Sequence, residues 1–456
     1  MCVRFLHHGR WATGLGLMLA LALVLLLGAC KGSEQKKAEV TQTPTRGLQT
    51  PIVIPAGEPI VIGVSAPLTG PDAAVGAEDS DAATVSVDRW KRANGGQIKG
   101  HAIKVQVEDD GCTEADITLQ AAERLLQQRG LAGVIGPDCS AGAEAAIPVY
   151  AAAGIVSISG SATASGLAAS QPEGHFFFRT AYRNDLEGTL AGLFTSSELK
   201  AKRVYLIDDG EPYGQDLTDA AQRAMEALGI TVTRDSIRRG TVDFSELATK
   251  IAGESPDLVG FAGFNPEAAL LYRQLRDAGY KGLFGAGDAA WGPPFIEPVG
   301  ARAAEGVLFA GCALPLPEDF IADFQDWHGH PPRDSAFVAQ YADAATILLD
   351  AVAEVAVEQS DGSLSIGPVA LSDTLRATTL QKGISGSVSF DNDGDRVPPG
   401  VDDLSLFVDS AIKAGDINVF LELGLVPCQV QDGKLVNLIG PGAGTPRLPS
   451  AAPGSP

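Results

Sequence analysis

Ile60-Val61-Ile62-Gly63-Val64-Ser65-Ala66 is a short apolar run, followed at once by the turn Pro67-Leu68-Thr69-Gly70. Such a run reads as a strand buried on both faces, of the kind found inside a parallel sheet. Beyond the turn, residues 75–93 carry apolar side chains at helical spacing and stop at Asn94-Gly95-Gly96, a helix-ending signal. The couplet then repeats. Strands at 103–107, 132–135 and 155–158 alternate with helices at 114–128 and 141–153. After Arg179 the rhythm restarts, with helices at 186–199, 214–228, 244–251 and 266–278 and strands at 203–207, 230–233, 258–261 and 283–286. Alternation of this kind gives parallel sheets covered by helices on both faces. Two successive runs predict an α/β protein of two doubly wound parallel-sheet lobes.

Later segments break the rhythm. Residues 319–327 and 336–357 read as helices, and 365–376 ends in a short one. Residues 384–390 alternate as a strand closed by the acidic turn Asp391-Asn392-Asp393-Gly394-Asp395. Residues 426–430 and 435–438 form a hairpin pattern around Asp432-Gly433. Residues 440–456 are Pro, Gly, Ala and Ser for the most part, so a disordered tail is expected. No tandem repeat of 20–50 residues is visible.

The first thirty residues decide the compartment. Arg4 and Arg10 give a positive start, 15–27 is an almost unbroken apolar run, and Leu27-Gly28-Ala29-Cys30 closes it. That is the layout of a secretory signal. The run falls a little short of the ~20 residues that span a bilayer, which favours cleavage over an uncleaved anchor. Cys30 after small residues resembles the lipobox of bacterial lipoproteins, and the resemblance implies lipidation there. Residues 31–55 are rich in Lys, Glu, Gln, Thr and Pro with little to bury, as in a flexible tether. No second long apolar run follows. The remaining chain, about 400 residues, is too long for one ordinary core. The 45% hydrophobic and 20% charged content of the full sequence is that of a soluble globular protein. The net charge is −22, or −24 once Arg4 and Arg10 leave with residues 1–29. Such acidity argues against nucleic acid, which needs basic surface.

Of the six cysteines, Cys2 leaves with the signal and Cys30 takes the lipid. Cys112, Cys139, Cys312 and Cys428 remain, an even number in an oxidising compartment, so disulfides are the default. Three pairings are possible; Cys112–Cys139 with Cys312–Cys428 is favoured. Zinc on four thiols is disfavoured because no C-x-x-C spacing occurs.

Motifs for catalysis and cofactors are absent. The turn after Ala66 lacks the glycine fingerprint of dinucleotide binding, and there is no phosphate-cradling Gly-x-x-x-x-Gly-Lys, no Gly-x-Ser-x-Gly and no His-Glu-x-x-His. No cofactor is expected. His328-Gly329-His330 is metal-like, but it stands beside Pro331-Pro332 with no carboxylate or Cys at ligand spacing, so an exposed loop is the better reading. In the acidic turn, Gly394 falls at the fourth position rather than the sixth that an EF-hand loop requires, so a polar turn is expected and no metal. No nucleophile–base set stands out, which argues against an enzyme.

Several segments together resemble the branched-chain amino-acid-binding (Leu/Ile/Val-type) family of periplasmic binding proteins, the solute receptors of ABC importers. They are Gly63-Val64-Ser65-Ala66-Pro67-Leu68-Thr69-Gly70, Glu108-Asp109-Asp110-Gly111-Cys112, Val134-Ile135-Gly136-Pro137-Asp138-Cys139-Ser140 and Ser159-Gly160-Ser161-Ala162-Thr163. Pro212-Tyr213-Gly214, Ala304-Glu305-Gly306 and Phe390-Asp391-Asn392-Asp393-Gly394-Asp395-Arg396 continue the series. The resemblance covers about 60–390 and again 430–438. It implies the type I fold, with the lobes joined by a multi-strand hinge. On that reading 58–181 with 313–398 make lobe one, 182–312 with 399–440 lobe two, 30–57 the tether and 441–456 the tail. The family carries a disulfide matching Cys112 and Cys139. The stretch 398–428 is longer than expected before the last strands.

A free amino acid is a zwitterion, so its receptor needs donors for the carboxylate and acceptors for the ammonium. Ser140 directly precedes a helical run and is placed to cap it, where free N–H groups and the dipole suit a carboxylate. The resemblance implies that Ser140 holds that carboxylate, that Ala162 offers a carbonyl to the ammonium and that Thr163 adds a hydroxyl. From the second lobe it implies Asp288 for the ammonium, with Tyr213 and Phe264 closing over the ligand. Val75 stands near the side-chain end. The expected partners are a small amino-acid-like ligand, an ABC permease and, through Cys30, a bacterial membrane on its extracytoplasmic side. The runner-up is a sensory receptor on the same fold. A hydrolase built on carboxylate pairs is a third class.

Overall fold

The computed structural model describes residues 48–171, 175–401, 403–415, 417–440 and 443–447, all within one compact unit. The signal sequence expected at 1–29, the lipidation expected at Cys30 and the expected tether up to residue 47 lie outside the described residues. Among the described residues no helix is long and apolar enough to cross a membrane.

The first sheet has six strands in the order Gln97–Ile98, His101–Asp109, Ile60–Ala66, Leu131–Ile135, Val156–Ser159 and Phe177–Arg179. All neighbours run parallel except Gln97–Ile98, which is antiparallel to His101–Asp109. Every residue of Ile60–Ala66 is buried, because helices cover both faces. Gly63 lies against Leu125 of the helix Ala115–Leu126. One register step away, Gly133 meets Leu348 of the helix Val338–Val355 on the other face. That long helix also packs along Ala73–Ala93, so a late segment completes the first lobe.

The second sheet has seven strands in the order Lys434–Asn437, Cys428–Gln431, Leu308–Phe309, Leu283–Ala286, Leu258–Ala262, Arg203–Asp208 and Thr231–Ser236. The last five are parallel, and the terminal hairpin adds to their edge antiparallel. Its two-residue loop needs positive φ at both positions, which Asp432 (54°) and Gly433 (73°) supply. The chain passes between the lobes three times: after Phe177–Arg179, after Leu308–Phe309 and after Arg396–Val397. Cys112 is bridged to Cys139 and Cys312 to Cys428.

Three expectations change and one open stretch takes form. The tether does not extend to residue 57: Ile52–Ile54 is a strand, antiparallel to Leu364–Ile366. Ile52 and Ile54, two apart, fall on one face and are both buried, whereas Val53 is exposed. The tail is not wholly free, since the Arg447 amide donates to Gln429 Oε1 at 2.7 Å and its guanidinium pairs with Asp432 at 2.7 Å. The long stretch before the last strands holds the helix Leu404–Ala414, which packs on Asn184–Phe194 of the second lobe, and a 3-10 segment, Ile417–Leu423. Ser140 is not the cap of its helix but its first residue, because Cys139 takes the extended capping conformation. The acidic turn is a closed polar turn, with Asp391 Oδ1 accepting from the amides of Asp393, Gly394 and Asp395 at 2.9–3.0 Å. Asp395 itself turns inward to Arg179 (2.6 Å) and Arg183 (3.1 Å).

Candidate functional site

In open α/β sheets, ligands bind outside the carboxyl ends of the strands. Here the carboxyl ends of both sheets open on one cleft. From the first sheet come Pro67, Asp72 and Val75 after Ile60–Ala66, then Asp138, Cys139 and Ser140 after Leu131–Ile135, and Ser161 after Val156–Ser159. From the second come Tyr213 after Arg203–Asp208, Phe264 after Leu258–Ala262, and Asp288, Ala289 and Trp291 after Leu283–Ala286. Asp334, Ala336 and Phe337, on the segment leading into Val338–Val355, close the side. A second cavity inside lobe two is lined by Leu190, Phe194, Leu217 and Met225 among others. It offers a charged solute almost no polar partner.

Local chemistry sets each wall. Gly136 has φ +110°, and a Cβ there would lie 2.2 Å from the Ser65 carbonyl, so only glycine lets the loop bend close enough to present Asp138 and Ser140. Ser140 Oγ accepts from the Ala164 amide at 3.1 Å. The Ser140–Ala152 helix begins at the cleft, so its first N–H groups and the positive end of its dipole face that way. Asp138 Oδ1 accepts from Ser161 Oγ at 2.6 Å. Burial, then the Asp110 charge, pushes the Asp138 carboxyl up to about 7. Burial, then the Asp138 charge, raises its partner Asp79 well above the ordinary range, so this pair holds a proton at neutral pH.

On the opposite wall Asp288 accepts from Tyr213 Oη at 2.7 Å and Tyr182 Oη at 3.0 Å. Its amide donates to Glu187 Oε1 at 3.1 Å. Burial, then the Asp288 charge, raises Glu187 strongly, so Glu187 is the protonated member of the pair. Tyr213 and Phe264 pack with tilted rings (58°) at 5.3 Å between centres, and the Arg239 guanidinium lies 4.1 Å over the Phe264 ring while pairing with Asp72 of the other lobe. The indole Nε1 of Trp291 is buried without a partner among the described residues, a donor left over at the cleft wall. All the charged side chains on the lining are carboxylates: Asp72, Asp138, Asp288 and Asp334.

Ser140, Tyr213, Phe264, Asp288 and Val75 therefore meet on one lining. Ala162 and Thr163 do not reach it. Ser159 Oγ accepts from the Ala162 amide (2.9 Å), and Arg179 takes the carbonyls of Ala162 (3.0 Å) and Ala164 (2.8 Å), turning the loop backbone inward. The Thr163 carbonyl accepts from the Asn184 amide at 2.8 Å. Ser161 stands at the cleft in their place. Asp138 and Ser161 lay inside stretches already noticed in the sequence, and their position just past strand ends was the available signal. Trp291, Asp334 and Phe337 carried none.

Comparison with known proteins agrees with this architecture. The chain is 34% identical over 250 residues to an amino acid binding protein of Pseudomonas aeruginosa, covering 53% of this chain and 66% of that one. It is 34% identical over 255 residues to the Leu/Ile/Val-binding protein BraC3 of Rhizobium johnstonii, covering 56% and 68%. Among solved structures, the branched-chain amino acid transporter substrate binding protein LivJ of Streptococcus pneumoniae, in complex with isoleucine, superposes with a TM-score of 0.67 at 22% identity, over 83% of this chain and 97% of that one. At that identity the likeness speaks for the fold. The family model described as periplasmic binding protein matches residues 59–400, three quarters of the chain, and the chain belongs to that family of binding proteins.

Proposed function

We propose that this protein is an extracytoplasmic solute-binding protein that captures a small amino acid or amino-acid-like solute by closure of its two lobes and delivers it to an ABC import permease. The observation that carries the reading is the bipolar cleft. Ser140, the helix N–H groups behind it and the Trp291 indole offer donors to a carboxylate, while Asp138 and Asp288 offer acceptors to an ammonium. The solute enters on lobe one, lobe two swings over it with Tyr213, Phe264 and Asp288, and the expulsion of water strengthens each polar contact. Ligand acts by shifting the open–closed population, and the closed form is what a permease reads. The names of the relatives, which bind amino acids, support the same class. In this reading the chain is cleaved before Cys30 and held by lipid on that residue, beside the membrane that houses its permease.

The test is calorimetry on protein unfolded, stripped of carried-over solute and refolded, titrated with amino acids, amides, urea and short peptides. Saturable heat with at least one α-amino acid is expected. Absence of heat and of any thermal shift with all of them would remove the amino-acid assignment. Accumulation of labelled solute in cells with and without the chain separates transport from sensing.

A further inference from the structure

His328 and His330 flank Gly329 at the end of the helix Glu318–His328, with Asp326 and Asp334 the nearest carboxylates in sequence. The fold brings another from far along the chain. Glu78, on the helix Ala73–Ala93, approaches both rings, and one donor atom from each of Glu78, His328 and His330 lies within 4.8 Å of the others. The two imidazoles stand edge to face, 4.4 Å between centres, and His330 Nδ1 is 3.9 Å from Glu78 Oε1.

Each group is oriented by a partner of its own. His328 Nδ1 is hydrogen-bonded to the Asp81 carboxylate, and His330 Nδ1 to the Pro331 carbonyl at 2.9 Å. Both partners only accept, so Nδ1 carries the hydrogen and the neutral ring keeps its lone pair on Nε2. A carboxylate or carbonyl behind the imidazole is the usual support of a metal-bound histidine. Glu78 is wholly buried, and its carboxylate is held by the amides of Arg333, Asp334 and Ser335 at 2.8–3.1 Å. Among the described residues no Lys or Arg side chain is ion-paired with it: the Arg333 guanidinium turns to Glu297 and Asp334, and the ring nitrogen beside it, His330 Nδ1, belongs to a neutral imidazole. A buried carboxylate is costly without a cation.

We propose that Glu78, His328 and His330 form a site for a zinc-class divalent cation, with water in the remaining position. Two imidazoles and a carboxylate suit that class, and tetrahedral bonds of about 2.0–2.2 Å bring donor atoms to within roughly 3.5 Å of one another. The site closes by a turn of the His330 side chain, which is 40% exposed. The bound ion pins the 328–335 segment to the first helix. That segment carries Asp334 and leads into Phe337, so the ion stiffens one wall of the cleft.

The experiment uses the full chain with Cys2 and Cys30 alkylated, titrated with Zn²⁺ and with Co²⁺. One ion per chain, a thermal midpoint raised by Zn²⁺ and a four-coordinate Co²⁺ absorption band are expected. His330→Ala, at a half-exposed position, should keep its metal-free thermal midpoint yet bind roughly tenfold or more weakly and lose the Co²⁺ band. Glu78→Gln should weaken binding by a like factor. No saturable binding up to about 100 µM Zn²⁺ would overturn the proposal, as would binding that neither variant changes.

Discussion

The hydroxyl of Ser140 is in use before any ligand arrives, because it accepts the buried Ala164 amide. Ser140→Ala therefore acts twice. It leaves that amide without an acceptor, at a cost of about 1–3 kcal/mol read by urea denaturation, and it weakens ligand binding read by calorimetry. Asp288→Ala should weaken binding as well, and it strands the hydroxyls of Tyr182 and Tyr213. If neither change alters affinity, the cleft is not the site. Asp209 shows a different kind of residue effect. It is buried, Oδ2 has no hydrogen-bond partner among the described residues, and burial pushes its carboxyl up to about 7. The folded form thus holds a proton that the unfolded chain releases near pH 4. Its stabilising share is complete below that value and fades as pH rises toward 7, by up to about 1.4 kcal/mol per pH unit. Asp209→Asn should flatten the fall in unfolding free energy between pH 5 and pH 7.5; an unchanged slope would refute the assignment. Positions such as Ser140 and Asp288 were legible because they belong to loops next to strong strand patterns. The inward turn at Ala162 was not, since it depends on Arg179, a residue fixed by Asp395 far along the chain.

At the scale of elements, the helices Asn184–Phe194 and Pro212–Ala227 cross unusually closely. A Cβ on Gly188 would lie 2.5 Å from the Ala221 amide nitrogen, and one on Gly192 would lie 2.7 Å from Ala224 Cβ. Gly188→Ala should force the pair apart and cost about 1–3 kcal/mol, with no ligand contact touched. Denaturation measures that loss, and a neutral result would show that the crossing is slack. Long elements were read well because the 3.6-residue period and the buried strand runs repeat over many residues. Short ones escaped. Ile52–Ile54, Leu308–Phe309 and Arg396–Val397 have two or three residues each, too few for a period, and the first stands between Pro51 and Pro55.

For the whole molecule, closure is held by a few contacts across the cleft. Arg239 pairs with Asp72, and Asp216 Oδ2 accepts from the Ser165 amide (2.7 Å) and hydroxyl (2.9 Å). Arg239→Ala removes the ion pair and the cover on Phe264 together. A smaller closed fraction lowers apparent affinity in proportion, so a loss of about two- to tenfold is expected. Solution scattering should show a larger radius of gyration without ligand, and an identical curve would mean that the pair is incidental. The two lobes followed from the interrupted strand–helix rhythm. The return of 338–355 to the first helix and the late hairpin on the second sheet did not, because crossings between lobes leave no periodic trace.

The strand Ile52–Ile54 also sets how a leash would load the body. It lies beside Gly130 and Leu131, at the amino ends of the first sheet's strands, whereas the cleft opens at their carboxyl ends. Tension entering there would be taken by the Leu364–Ile366 pairing and the base of lobe one. Twenty-one residues lie between Cys30 and Ile52, so a lipid on Cys30, as proposed, would hold Ile52 within at most about 75 Å. On the anchoring proposed above, a pull would enter the body at the end opposite the mouth of the cleft, so the load of an anchor and the grip on a solute would be mechanically decoupled.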